Sequence, residues 1–220
     1  MGRIVGIDLG TTHSLVAVLD EGGPRCLPNA LGDLLTPSAV LVDEDDSVSV
    51  GRIALAREVT APGRVARFFK RDMGTDHHLD LGDARWTPVE LSAVVLKALL
   101  ADAEATLGEP VTEAVVSVPA WFSETQRRAT RQAAELAGLT VRRLVNEPTA
   151  AALAYGLHHL ETEQRVVVLD LGGGTFDVTV LEIIEGVVEV QATAGDTRLG
   201  GEDFTDALLE HVSGKARESG

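Results

Sequence analysis

The chain has 220 residues, a net charge of −15 and a sequence pI near 4.7, with 45% apolar and 4% aromatic residues. That length suits one large domain or two small ones, and the acidic balance excludes the basic stripe that nucleic-acid binding needs. A single cysteine, Cys26, excludes an internal disulfide and suits a reducing compartment. No apolar run approaches a membrane span, and Asp8 interrupts the first one too early for a signal peptide. The expectation is a cytoplasmic protein with no nucleic-acid and no membrane partner.

In chain order, Ile4 to Leu9 and Ser14 to Asp20 predict a hairpin, followed by a short strand near Arg25 to Leu27. Thr36-Pro37-Ser38 leads into Ala39 to Val42, and Ser47 to Val50 reads as a strand. Residues 30–85 read as an insertion with short strands and a helix near Ile53 to Val59. Lys70 is one of only three lysines, so it is either a chemical choice of a compact point charge or a solvated surface residue. His77-His78 lacks metal-ligand spacing and reads as a loop. Thr87-Pro88-Val89-Glu90 is a capping box with Pro at the first helical position. The helix that follows carries Leu91, Val94, Val95, Ala98 and Leu99 on one face.

Ala114 to Val118 predicts a buried strand stopped by Pro119. Ser123 to Gln126 caps a helix ending at Gly138, with Arg127, Arg128 and Arg131 on a solvated face. Thr140 to Val145 reads as a strand, and Asn146-Glu147-Pro148-Thr149 opens a small alanine-rich helix. The polar connector His158 to Gln164 marks the expected domain boundary, giving units 1–157 and 165–220.

Val166-Val167-Val168-Leu169 predicts a buried strand ending in Asp170. Gly172-Gly173-Gly174-Thr175 then turns into Phe176-Asp177-Val178, and a third strand runs from Val187 to Thr193 after a turn at Gly186. Gly195 to Gly201 is a further glycine-rich loop, and it opens a helix with Phe204, Ala207, Leu208, His211 and Val212 on one face. Ile4 to Leu19 lies over Val166 to Leu181 without a gap, Asp8 falling on Asp170 and Gly10 on Gly172. Such a repeat predicts a duplicated domain.

Glycine turns let a ligand approach and turn amides cradle anions, while the adjacent acids suit a metal ion with its waters. Two facing copies could clamp one phosphate chain from both sides. A Walker loop needs Gly-Lys-Ser/Thr opening a helix, and a dinucleotide fingerprint also opens a helix. Both turns here join strand to strand, so the strand-turn-strand phosphate clamp is the reading that fits.

Gly6-Ile7-Asp8-Leu9-Gly10-Thr11-Thr12, Val118-Pro119-Ala120-Trp121-Phe122, Asn146-Glu147-Pro148-Thr149-Ala150, Asp170-Leu171-Gly172-Gly173-Gly174-Thr175-Phe176-Asp177 and Gly195-Asp196-Thr197-Arg198-Leu199-Gly200-Gly201 carry a family resemblance. The chain resembles the ATPase domain of the seventy-kilodalton heat-shock chaperones, the DnaK and HscC type most. The resemblance implies an α/β fold of the duplicated actin-like, ribonuclease H-like kind. It implies ATP or ADP with Mg²⁺, and K⁺ at the same acids.

By position, Gly10, Thr11, Thr12, His13, Gly172, Gly173, Gly174 and Thr175 would bind the nucleotide's phosphates. His13 stands where the family usually has Tyr or Asn, and Trp121 where it often has Tyr. Asp8 and Asp170 would hold the waters of Mg²⁺. Lys70, Glu147, Asp170 and Asp177 would act in hydrolysis, Pro119 as a switch, and Arg143, Asn146 and Thr149 toward a J-domain co-chaperone. A nucleotide-exchange factor and unfolded client proteins are the other implied partners. Other readings on the same fold are an actin-like filament protein, a sugar or acetate kinase, and a non-hydrolysing interaction module.

The first copy reads β-β-β, insertion, α-β-α-β-α, and the second reads β-β-β-α. The expectation is a complete first lobe and a truncated second one, part of a longer protein. Each large apolar side chain left uncovered forfeits about 1.5–3 kcal/mol. The strands from Val166 to Thr193 are therefore expected to be poorly protected from hydrogen exchange in a monomer.

Overall fold

The computed structural model describes residues 3–156, 163–184 and 187–218. The expected boundary at His158 to Gln164 falls largely, and the turn at Gly186 wholly, outside the described residues. The chain divides into two compact units, Met1–Val118 with Phe122–Glu147, and Pro119–Trp121 with Pro148–Gly220.

In the first unit, β1 (Arg3–Leu9), β2 (His13–Asp20) and β3 (Gly23–Cys26) form an antiparallel meander, and β4 (Thr36–Pro37) pairs with the start of β2. A small sheet holds β5 (Val40–Val42), β6 (Val48–Val50) and β7 (Val65–Ala66), with α1 (Arg52–Ala56) packed on it. The hairpin β8 (Leu79–Leu81) and β9 (Ala84–Trp86) leads to α2 (Pro88–Leu107). Then come β10 (Val111–Val118), α3 (Glu124–Leu136) and β11 (Thr140–Asn146), and the second unit is entered at Pro148, within α4 (Glu147–Gly156).

The main sheet runs β11-β10-β1-β2-β3, with β10 parallel to both β1 and β11, so it is a mixed sheet. Alternation puts Val5, Ile7 and Leu9 of β1 and Val16 and Val18 of β2 in the core with α2 and α3. Both predicted capping boxes form, Thr87 with Glu90 and Ser123 with Gln126. The buried stripe of α2 is Leu91, Ser92, Val95, Leu96 and Leu99, while Val94 and Ala98 are only half-buried. That stripe is rotated from the predicted one, since α3 as well as the sheet lies against α2.

The second unit is an antiparallel sheet of β12 (Gln164–Leu171), β13 (Phe176–Ile184) and β14 (Val187–Asp196), followed by α5 (Gly201–Glu218). Asp177, Thr179, Leu181 and Ile183 of β13 are buried. The expected buried strand at Val166 to Leu169 is half correct. Val166 and Val168 are half-buried, but Val167 and Leu169 are 59% and 68% exposed. An unbroken apolar run predicts cover on both faces, and among the described residues one face of β12 has none. Gly195 and Asp196, expected in a loop, instead extend β14 opposite Asp177 and Phe176. No helix among the described residues is long and apolar enough to cross a membrane.

The two hairpins agree in register, position by position. Leu9 pairs with Ser14 and Asp8 with Leu15, while Leu171 pairs with Phe176 and Asp170 with Asp177. Ile7 opposite Val16 corresponds to Leu169 opposite Val178. The gapless overlay of the two sequence segments is thus also an overlay of strand pairings.

Candidate functional site

Asp8 ends β1 and sits in parallel register with Ser117 of β10. Ser117 Oγ donates to Asp8 Oδ1 at 2.7 Å, which fixes the carboxylate. Sequence reasoning missed Ser117, because only the β1–β10 register brings it there. Gly10 follows Leu9 in a turn so tight that a Cβ would strike the His13 carbonyl. Its N–H donates to Ser14 Oγ at 3.1 Å, and its carbonyl accepts from Ser38 Oγ at 2.8 Å. Thr11 is buried, Thr12 half-buried and His13 exposed.

Lys70 lies in a 3-10 turn, Phe69–Asp72, entered through Phe68 at φ 57°. A bulky residue in the left-handed region is strained, which is common beside functional groups. Lys70 is 5% exposed, and its Nζ donates to Glu147 Oε1 at 2.9 Å. The same Nζ lies 5.6 Å from the centre of the Phe122 ring. The structure therefore sets aside the solvated reading of Lys70. Burying an ammonium is costly unless it is paired, and here a carboxylate and a ring face supply the pairing.

Glu147 opens α4 directly after Asn146, the last residue of β11. Asn146 Oδ1 accepts from Arg127 Nη2 at 2.7 Å, and Arg127 Nε donates to the Phe122 carbonyl at 3.0 Å. Arg127 is thus not part of a solvated face, as expected, but is turned back to the end of β11. Arg128 and Arg131 are exposed, as expected, and Arg131 also donates to the Val141 carbonyl at 3.3 Å. Arg143 is exposed on β11, Thr149 is half-buried in the first turn of α4, and Pro119 is buried at the exit of β10.

In the second unit, Asp170 and Asp177 are cross-strand partners flanking the glycine turn. Asp177 is 3% exposed and Asp170 half-buried. Gly172 N–H donates to the Thr175 carbonyl at 3.0 Å and closes the turn. The start of α5 sits on this turn. Gly201 N–H reaches the Gly172 carbonyl at 2.9 Å, and Glu202 N–H the Gly173 carbonyl at 3.1 Å. Gly200 packs so closely that a Cβ would strike the backbone of Gly173 and Gly174. Asp203 Oδ2 accepts the Gly200 N–H at 2.7 Å.

Asp8 and Asp170, each in its own unit, are oxygen donors of the kind a hard divalent cation takes. Among the described residues, no three His, Cys, Asp or Glu side chains gather as a protein-only metal cage. His77 and His78 lie in a loop, with His77 Nε2 3.9 Å from Asp72 Oδ2.

One protein family, described as Hsp70 protein, has a model that matches residues 4–81 and 77–219. The matched ranges hold Asp8, Gly10, Lys70, Glu147, Asp170 and the turn at 172–175.

Proposed function

The chain belongs to the Hsp70 family, and from that membership we propose that it is the ATP-binding and ATP-hydrolysing part of a DnaK/HscC-type chaperone. Members of the family are chaperone ATPases that bind ATP or ADP with Mg²⁺, and membership implies the actin-like ATPase fold. The observation that carries the finer reading is the matched pair of hairpins, each with an aspartate at the strand end and a glycine-led turn after it.

In this reading the turns at 10–13 and 172–175 take phosphate groups. Asp8 and Asp170 hold Mg²⁺ through water, with K⁺ as a second ion. Bound Mg²⁺ would neutralise phosphate charge, which matters in a chain of net charge −15. Lys70, Glu147 and Asp177 orient the attacking water and stabilise the charge that develops on the γ-phosphate. The water oxygen bonds to phosphorus, the bond to the β-phosphate oxygen breaks, and ADP and phosphate leave. Such a reaction is catalysed mainly by position and charge, which a buried lysine-carboxylate pair supplies.

Pro119, leaving β10 two residues after Ser117, is the switch in this reading, and Arg143, Asn146 and Thr149 face a J-domain co-chaperone. A nucleotide-exchange factor and unfolded client proteins complete the cycle, and the cytoplasm is its compartment. In this reading the lobes are 1–157, with an insertion at 30–85, and 165–220. Titration calorimetry with Mg-ATP tests the reading. Binding that requires Mg²⁺ and weakens in Asp8→Asn and Asp170→Asn is expected. A wild-type chain that gives no heat with Mg-ATP, or variants that bind as wild type, would overturn it.

A further inference from the structure

Three short contacts around Gly10 close on themselves. Ser38 Oγ donates to the Gly10 carbonyl at 2.8 Å. A hydroxyl has one proton to give, so Ser38 has spent its own. Across the 2.9 Å contact between the two serine hydroxyls, Ser14 must therefore be the donor. Ser14 Oγ in turn accepts the Gly10 N–H at 3.1 Å. The bonds run from Gly10 N–H to Ser14, from Ser14 to Ser38, and from Ser38 back to Gly10 C=O. One ring satisfies both polar groups of a single residue.

The ring is dry and held from a second direction. Ser14 and Ser38 are 1% and 3% exposed. Ser38 N–H donates to the Thr12 carbonyl at 2.8 Å, and Pro37 and Thr36 pair with His13 and Ser14. The segment from Thr36 to Ser38 thus grips the turn at three of its residues. Gly10 spends its N–H inward on Ser14, so its part in the phosphate turn is to make that turn tight.

We infer that Ser38 is a positioning residue for the first phosphate turn. Working through Ser14, its hydroxyl fixes the backbone of Gly10, Thr11 and Thr12 in the shape that receives a phosphate group. The inference rests on the nucleotide reading above for the identity of the ligand. Linked hydrogen bonds in a dry site reinforce one another, so opening the ring at either serine releases the whole of it.

The test uses the intact chain and two readouts. In the ligand-free protein, amide exchange at Gly10 reports the ring alone. Ser38→Ala and Ser14→Ala each raise it about tenfold, the factor carried by one buried hydrogen bond. The double variant exchanges no faster than the worse single one, because the ring is already open. Calorimetry with Mg-ATP then shows affinity down about tenfold in each variant, and Ser38→Thr, which keeps the hydroxyl, restores it.

Additive effects of the two serines, or a Gly10 amide unmoved by Ser38→Ala, overturn the ring. Faster Gly10 exchange with wild-type Mg-ATP affinity overturns its role in positioning. A wild-type chain that ignores Mg-ATP defeats the nucleotide reading, and with it the phosphate role, while the exchange data still decide the ring. Should Ser38→Ala fail to fold, Ser14→Ala opens the same ring and carries the same comparison.

Discussion

The Lys70 ammonium and the Glu147 carboxylate meet at 2.9 Å, although the two residues stand far apart in sequence and the lysine is almost wholly buried. The buried ammonium is tolerable there because the carboxylate faces it. Removing one partner of a buried pair strands the second charge, at a cost of about 3–5 kcal/mol. Glu147→Ala should therefore lower the unfolding free energy of the first unit by about 3 kcal/mol. Lys70→Met, which removes the ammonium and keeps the volume, should cost less. The double variant should regain part of the Glu147→Ala loss. Urea denaturation of the three variants measures this, and equal costs for both single variants would refute it.

The same lysine separates binding from chemistry. If Lys70 stabilises charge developing on the γ-phosphate, Lys70→Ala leaves Mg-ATP binding nearly intact and removes hydrolysis. Loss of such an electrostatic group costs about 10²–10³ in rate. Single-turnover hydrolysis of prebound ATP is the measurement. A wild-type rate in Lys70→Ala would end this assignment.

Ser117 tests whether the Asp8 carboxylate needs to be held. The Ser117 hydroxyl donates to Asp8 Oδ1 at 2.7 Å, a bond to a charged group at the edge of the core. Ser117→Ala should cost about 1 kcal/mol of stability. It should also raise the Mg²⁺ concentration needed for nucleotide binding severalfold, while Ser117→Thr keeps both near wild type. An unchanged Mg²⁺ titration in Ser117→Ala would show that Asp8 is placed by the strand alone.

The residues along each hairpin were legible because they are local. Asp8, Gly10 and their counterparts Asp170 and Gly172 announce themselves by an overlay without gaps, and the strand registers repeat it. Capping boxes at Thr87 and Ser123 were legible for the same reason. What joins distant segments was not. Ser117 reaches Asp8 only through a parallel register, Ser38 reaches Gly10 only through β4, and Phe122 reaches Lys70 only through the exit of β10. Arg127 looks solvated on a helical wheel, yet its long side chain turns back to Asn146. The apolar run at Val166 to Leu169 misled because its composition predicts two covered faces, and among the described residues one is covered.

Gly200 predicts a lesion confined to the second unit. Its Cα lies so close to Gly173 and Gly174 that no Cβ fits, and the start of α5 donates to the carbonyls of that turn. Gly200→Ala must push α5 and the turn apart. Overpacking of this kind costs about 1–3 kcal/mol. Hydrogen exchange should quicken across 170–184 and at the start of α5, with β1 and β10 unchanged. Uniform change across both units, or none, would contradict the packing described.

Asp102 gives a pH dependence with a definite sign. It lies on α2 and accepts the Ala30 N–H at 3.0 Å. Burial holds its carboxyl above the ordinary value of 3.8, and the Ala30 bond only partly opposes this. The folded state therefore keeps the Asp102 proton to higher pH than the unfolded chain does. Over the window from 3.8 up to the raised folded value, this site loses stability as pH rises. Asp102→Asn keeps an oxygen for Ala30 and cannot ionise. The variant should match wild type below that window and exceed it above, by no more than about 0.5 kcal/mol. Urea denaturation of both proteins from pH 3.5 to pH 7, spacing of about half a unit being enough to resolve a single ionisation, measures the difference. A difference that stays flat with pH, or a variant less stable than wild type at pH 7, would show that the Ala30 bond outweighs the burial of charge.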